Sequence, residues 1–114
     1  MEAALRTVAE LGAGGRVVAV VGDMLELGDH AEAAHRRVGA LAAELDVAVV
    51  ALGAWKQVVA EATGQPALTW TTDDPRLAAR QALAATEPGD WILVKASRGM
   101  RLERVVAAMR EDAV

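Results

Sequence analysis

The sequence predicts an α/β fold in which a mostly parallel sheet lies between helices on both faces. Two observations carry this prediction. Segments with helical apolar spacing alternate with short apolar runs along the whole chain, a pattern that right-handed crossovers turn into a parallel sheet. The runs themselves, above all Val17-Val18-Ala19-Val20-Val21 and residues 47–52, are continuously apolar rather than alternating, as strands covered on both faces must be. The expected arrangement is a Rossmann-like three-layer sandwich with strand order 3-2-1-4. That order sets the loops after the first and fourth strands side by side at the switch point, where ligands collect in such sheets.

The elements follow in order. Residues 2–11 place Ala4, Leu5, Val8, Ala9 and Leu11 at helical spacing, and Gly12-Ala13-Gly14-Gly15 stops the helix. These glycines precede a strand instead of following one, so they form a connection and not a dinucleotide fingerprint. After the first strand, Asp29 with Glu32 three residues on reads as an N-cap and capping box. Ala33, Ala34, Val38, Leu41, Ala42 and Leu45 give the long helix that follows its buried stripe. Residues 47–52 form the second strand, 55–62 a short helix, and 67–71 the third strand after the Gly64-Gln65-Pro66 break. Asp74 before Pro75 opens a helix with proline at its first position, whose inward face is Leu77, Ala78, Ala82 and Leu83. Residues 91–94 are the fourth strand, and 100–110 close the chain as a helix with Leu102, Val105, Val106 and Met109 inward.

At 114 residues the chain is expected to form one domain. It has no cysteine, which excludes disulfides, thiolate metal sites and a cysteine nucleophile, and its two histidines make a His-rich zinc site a poor reading. A net charge of -4, with no basic block and no Phe or Tyr, argues against nucleic acid as a partner. No apolar run reaches the roughly 18 residues of a membrane span, and the amino-terminus lacks a secretory pattern. The expected location is the cytoplasm. No G-x-x-x-x-G-K-[ST] phosphate loop occurs.

Two loops carry the candidate chemistry. In Gly22-Asp23-Met24-Leu25-Glu26-Leu27-Gly28, two carboxylates stand three residues apart at a strand end. They could hold magnesium, accept from an ammonium or orient an amine; equally, Asp23 caps a turn and Glu26 is solvated. Met24, Leu25 and Leu27 must pack on the domain or on a neighbour. In the second loop, Lys95 ends a strand, Ser97 can cap the last helix, and Arg98 and Arg101 lie near its first turn. Cations are unfavourable at that end of a helix dipole, which points to a carboxylate or phosphate met there; internal pairing with Asp23, Glu26 or Glu103 uses the same geometry. His35, on the long helix, reads as a packed or capping residue. Trp55, Trp70 and Trp91 read as core or domain-contact residues.

The stretches Gly22 to Gly28, His35-Arg36-Arg37-Val38-Gly39 and Leu93-Val94-Lys95-Ala96-Ser97-Arg98-Gly99-Met100-Arg101-Leu102-Glu103 closely resemble the carboxyl-terminal domain of the Mur ligases. Among these they resemble the MurF type, which joins D-alanyl-D-alanine to UDP-N-acetylmuramoyl-tripeptide. The opening Met1-Glu2-Ala3-Ala4-Leu5 is similar to the family segment that follows an Asn-rich interdomain motif. The resemblance implies a cytoplasmic, ATP- and Mg2+-dependent ligase of peptidoglycan synthesis working through an acyl phosphate. In it a central domain, expected to be absent from this chain, carries the phosphate loop and the metal. By matched motif, Asp23, Met24 and Glu26 would face the incoming dipeptide and ATP. Lys95, Ser97, Arg98 and Arg101 would meet a carboxylate or phosphate from the neighbouring loop. Ala96 stands where the family pattern has glycine. A domain of this kind is expected to be inactive alone. A different reading is a standalone Rossmann-like module that binds a small anionic metabolite or dipeptide without chemistry.

Overall fold

A computed structural model describes residues 2–24, 28–95 and 103–113 of the chain. The strands are β1 (Val17–Val21), β2 (Ala48–Ala51), β3 (Thr69–Thr71) and β4 (Trp91–Lys95). They form one parallel sheet in the order β3-β2-β1-β4, as the helix–strand alternation predicts. The helices are α1 (Glu2–Leu11), α2 (Ala31–Glu44), α3 (Lys56–Thr63), α4 (Pro75–Ala84) and α5 (Glu103–Ala113), with 3₁₀ turns at Gly28–His30 and Pro66–Leu68.

The continuous apolar runs are the two central strands, and β1 and β2 are buried along their whole length. Their side chains sort by parity, because successive residues of a strand point to opposite faces. Val17, Ala19, Val21, Val49 and Ala51 meet Leu5 and Val8 of α1, Val38, Leu41 and Ala42 of α2 and Val59 of α3. Val18, Val20, Ala48 and Val50 meet Ala78, Ala79 and Ala82 of α4 with Val105 and Ala108 of α5. The three-layer sandwich is therefore complete. On the first face α2 and α3 approach closely at Gly39, where a Cβ would stand 2.4 Å from the Val59 carbonyl oxygen.

Several local expectations are corrected. The α2 helix begins at Ala31 with His30 at its N-cap and no side-chain capping bond, so Asp29 and Glu32 do not form the capping box. The 3₁₀ turn at Gly28–His30 occupies the positions that the box needs. Leu77 is 41% exposed, and Ala79 takes the inward place on α4; alanines there let the helix lie close to the sheet. Leu11 is likewise exposed. Asp74 does cap α4, accepting the Arg76 N–H at 2.9 Å. At the amino ends of the strands, Asp90 accepts N–H bonds from Arg16 and Glu87, tying the starts of β1 and β4 together. Those two N–H donors, Glu87 first and Arg16 second, hold its carboxyl below the ordinary value of 3.8.

Candidate functional site

Because β1 and β4 are neighbours, their carboxyl ends emerge together. Val21 pairs with Lys95 in register, and the Gly22 N–H donates to the Lys95 carbonyl at 3.0 Å. The chain turns away from β1 toward β2 on one side, while β4 is reached by the crossover through α4 on the other. The reversal of strand order therefore falls between β1 and β4, where an open parallel sheet forms its ligand crevice.

Asp23 leaves this crevice and reaches across the end of β2. It is 5% exposed. Its Oδ2 accepts the Ala54 N–H at 2.9 Å and its Oδ1 the Trp55 N–H at 3.0 Å, at the amino end of α3. Hydrogen bonds to an ionised group contribute about 1.5–3 kcal/mol each, and free amides at a helix start favour a negative charge. Gly53 makes the approach possible. Its φ is +100°, and a Cβ there would lie 2.5 Å from Asp23 Oδ1.

Met24 packs part-buried against the cluster under α1–α3. Its N–H donates to Nε2 of His35 at 3.1 Å. His35 is fully buried on α2, its Nδ1 lies 2.5 Å from the Ala31 carbonyl oxygen, and its ring stacks on Trp55 with centroids 5.2 Å apart. The expectation of a packed histidine therefore holds. Lys95, the last residue of β4, is exposed beside this buried assembly. Glu26, Ser97, Arg98 and Arg101 lie outside the described residues, so the structure brings together only Asp23, Met24 and Lys95 of the candidate set.

A second polar pair stands further along the same edge. Asp73, just beyond β3, accepts from Lys56 Nζ at 2.6 Å and from the Gly53 N–H at 3.0 Å. The Lys56 ammonium and then the Gly53 amide hold its carboxyl below the ordinary 3.8. Neither residue is among those that the sequence marks for chemistry. The signal available was the position of Asp73 at a third strand end, masked by the capping role of its neighbour Asp74. Among the described residues, no group of three or more His, Cys, Asp or Glu side chains is arranged to hold a metal. Each oxygen of Asp23 already accepts an amide, so this carboxylate is turned to the protein and not toward a magnesium ion.

An open parallel sheet with a loop-lined crevice at its switch point is a Rossmann-like α/β domain, a class that serves many ligands. The chain belongs to the Mur ligase, glutamate ligase domain family, whose profile matches residues 1–98. It is 38% identical to UDP-N-acetylmuramoyl-tripeptide--D-alanyl-D-alanine ligase of Escherichia coli, over 98% of this chain and 24% of that protein. To the ligase of the same description from Bacillus subtilis it is 34% identical, over 98% of this chain and 25% of the relative. The crystal structure of MurF ligase from Thermotoga maritima in complex with ADP superposes with a TM-score of 0.72 at 28% identity, covering 97% of this chain and 26% of that one. The chain thus spans about a quarter of the length of the relatives it matches. Among the described residues, no helix is long and apolar enough to cross a membrane.

Proposed function

We propose that this chain is the carboxyl-terminal domain of an ATP-dependent ligase that adds D-alanyl-D-alanine to UDP-N-acetylmuramoyl-tripeptide in peptidoglycan synthesis. The observation that carries this reading is the similarity, over 98% of the chain, to two ligases of that one specificity. The reaction makes an amide bond. The tripeptide carboxylate takes the terminal phosphoryl group of ATP, the dipeptide amine attacks the acyl carbon, and phosphate leaves. A domain that closes over such a site contributes by bringing the partners together and by placing charge where negative charge develops.

The chain's own residues divide that work by position. The Asp23 anchor and the His35 contact fix the backbone leaving β1, which forms one wall of the crevice. Lys95 stands exposed at the other wall and offers an ammonium to a carboxylate or phosphate. In this reading Glu26 is a further contact for the dipeptide or ATP, and Ser97, Arg98 and Arg101 are contacts for a carboxylate or phosphate. Magnesium and the nucleotide are held mainly outside this domain, and the domain by itself does not turn over.

The test combines the domain with ATP, UDP-N-acetylmuramoyl-tripeptide and D-alanyl-D-alanine, with and without the remaining domains of a MurF ligase supplied as a separate polypeptide. Phosphate release is expected only with both parts present. Release by this chain alone overturns the proposal. Calorimetric titration with ADP and with the dipeptide decides against the standalone-module reading if neither binds tightly.

A further inference from the structure

Asp23, His35 and Thr63 are the buried polar residues among those described, and the first two belong to a single circuit. The Met24 N–H donates to His35 on α2; His35 stacks on Trp55; the Trp55 N–H donates to Asp23; and Asp23 adjoins Met24. The circuit joins the loop after β1, the helix that follows it and the loop after β2. It begins where the ladder stops, since the Gly22 N–H makes a bond to β4 and the chain then leaves the sheet.

The chemistry of the two ring contacts fixes the state of the imidazole. A carbonyl oxygen can only accept, so Nδ1 facing Ala31 must carry a proton. A backbone N–H can only donate, so Nε2 facing Met24 must present its lone pair. A leucine or phenylalanine in this place would fill the space and leave the Met24 amide without a partner. The circuit thus needs a side chain that is flat enough to stack, short of one proton and aimed past the end of the strand.

We propose that His35 is a positioning residue for the candidate site: as a neutral ring protonated on Nδ1, it holds the backbone at Met24, where the chain leaves β1 beside the crevice. The consequence for ligands rests on the ligase reading above, whereas the state of the ring and its hold on Met24 do not.

The experiment uses the 114-residue chain labelled with 15N at neutral pH, with the variants His35→Phe and His35→Gln. The long-range 1H–15N spectrum of the imidazole is expected to show an unprotonated Nε2 and a protonated Nδ1. Exchange of the Met24 amide should be roughly tenfold faster in His35→Phe, with the amides of β1 and β2 unchanged, and should return to within about threefold in His35→Gln, whose side-chain oxygen can accept. A proton on Nε2, or Met24 exchange equal in wild type and His35→Phe, overturns the proposal. If His35→Phe does not fold, the wild-type ring spectrum and the His35→Gln exchange decide alone. Titrating ADP and D-alanyl-D-alanine into the same samples adds the functional arm. Shifts at the Asp23 and Met24 amides are expected in wild type and His35→Gln and lost in His35→Phe; equal shifts in all three count against positioning. No shift in any sample is the weak binding that the ligase reading allows a domain without its partner domains, and the ring state and the exchange rates then judge His35.

Discussion

β1 and β4 end side by side, yet they end in opposite ways. The end of β1 runs into an assembly, buried at Asp23 and His35, in which Asp23, Met24, His35 and Trp55 each have a partner. The end of β4 stops at Lys95, which is exposed. The difference teaches how one crevice can be both fixed and receptive. One wall has its polar groups spent on the protein, and so cannot shift without disturbing the core. The other ends in an exposed cation that makes no ion pair among the described residues.

Substitutions can break this contrast. Gly53→Ala is expected to have the largest effect, a loss of about 2–4 kcal/mol in urea unfolding, because the new methyl group meets the Asp23 carboxylate on a backbone of positive φ. A loss below about 1 kcal/mol would show that the carboxylate can move and that the wall is not fixed. Asp23→Asn comes next, at about 2–3 kcal/mol, since the amide nitrogen then turns a donor toward one of two backbone donors. Thermal and urea unfolding of this variant measure it.

Asp73→Asn is expected to cost less than either, as its side chain is 66% exposed. Its effect is read in the pH dependence. The carboxyls of Asp73 and Asp90 both lie below 3.8 in the folded chain. Their contribution to stability is thus complete above that value and lost as the pH falls through the lower folded values. Asp73→Asn should flatten part of this acid slope, and a urea-midpoint series from neutrality down through the carboxylate range tests it. The smallest effect on stability is expected for Lys95→Ala, less than about 0.5 kcal/mol, together with slower phosphate release when the chain is combined with the remaining domains of a MurF ligase and all three substrates. A stability loss as large as that of Asp23→Asn would abolish the contrast between the walls.

The sheet order and the adjacency of the carboxyl ends of β1 and β4 were legible because they follow from global rules. Continuous valines mark strands covered twice, and the hand of the crossovers then limits where each strand can go. What escaped depended on distant partners. Asp23 meets amides at Ala54 and Trp55, which no local pattern around Gly22 announces. Asp29 and Glu32 carry a capping signal, yet the 3₁₀ turn displaced the start of α2. Leu77 fits a helical stripe as well as Ala79 does, and only the closeness of α4 to the sheet selects the smaller residue. Asp74 was legible as a cap because its partner is two residues away.

The stack of Trp55 on His35 has a practical side. Its indole lies 5.2 Å from the imidazole at the fixed wall, whereas Trp70 lies half-buried under the second face and Trp91 stands 43% exposed on the far edge. With Trp70 and Trp91 replaced by phenylalanine, the emission of Trp55 becomes a label that the chain already carries. Motion of the wall can then be watched in light, on the timescale of mixing, with no dye attached.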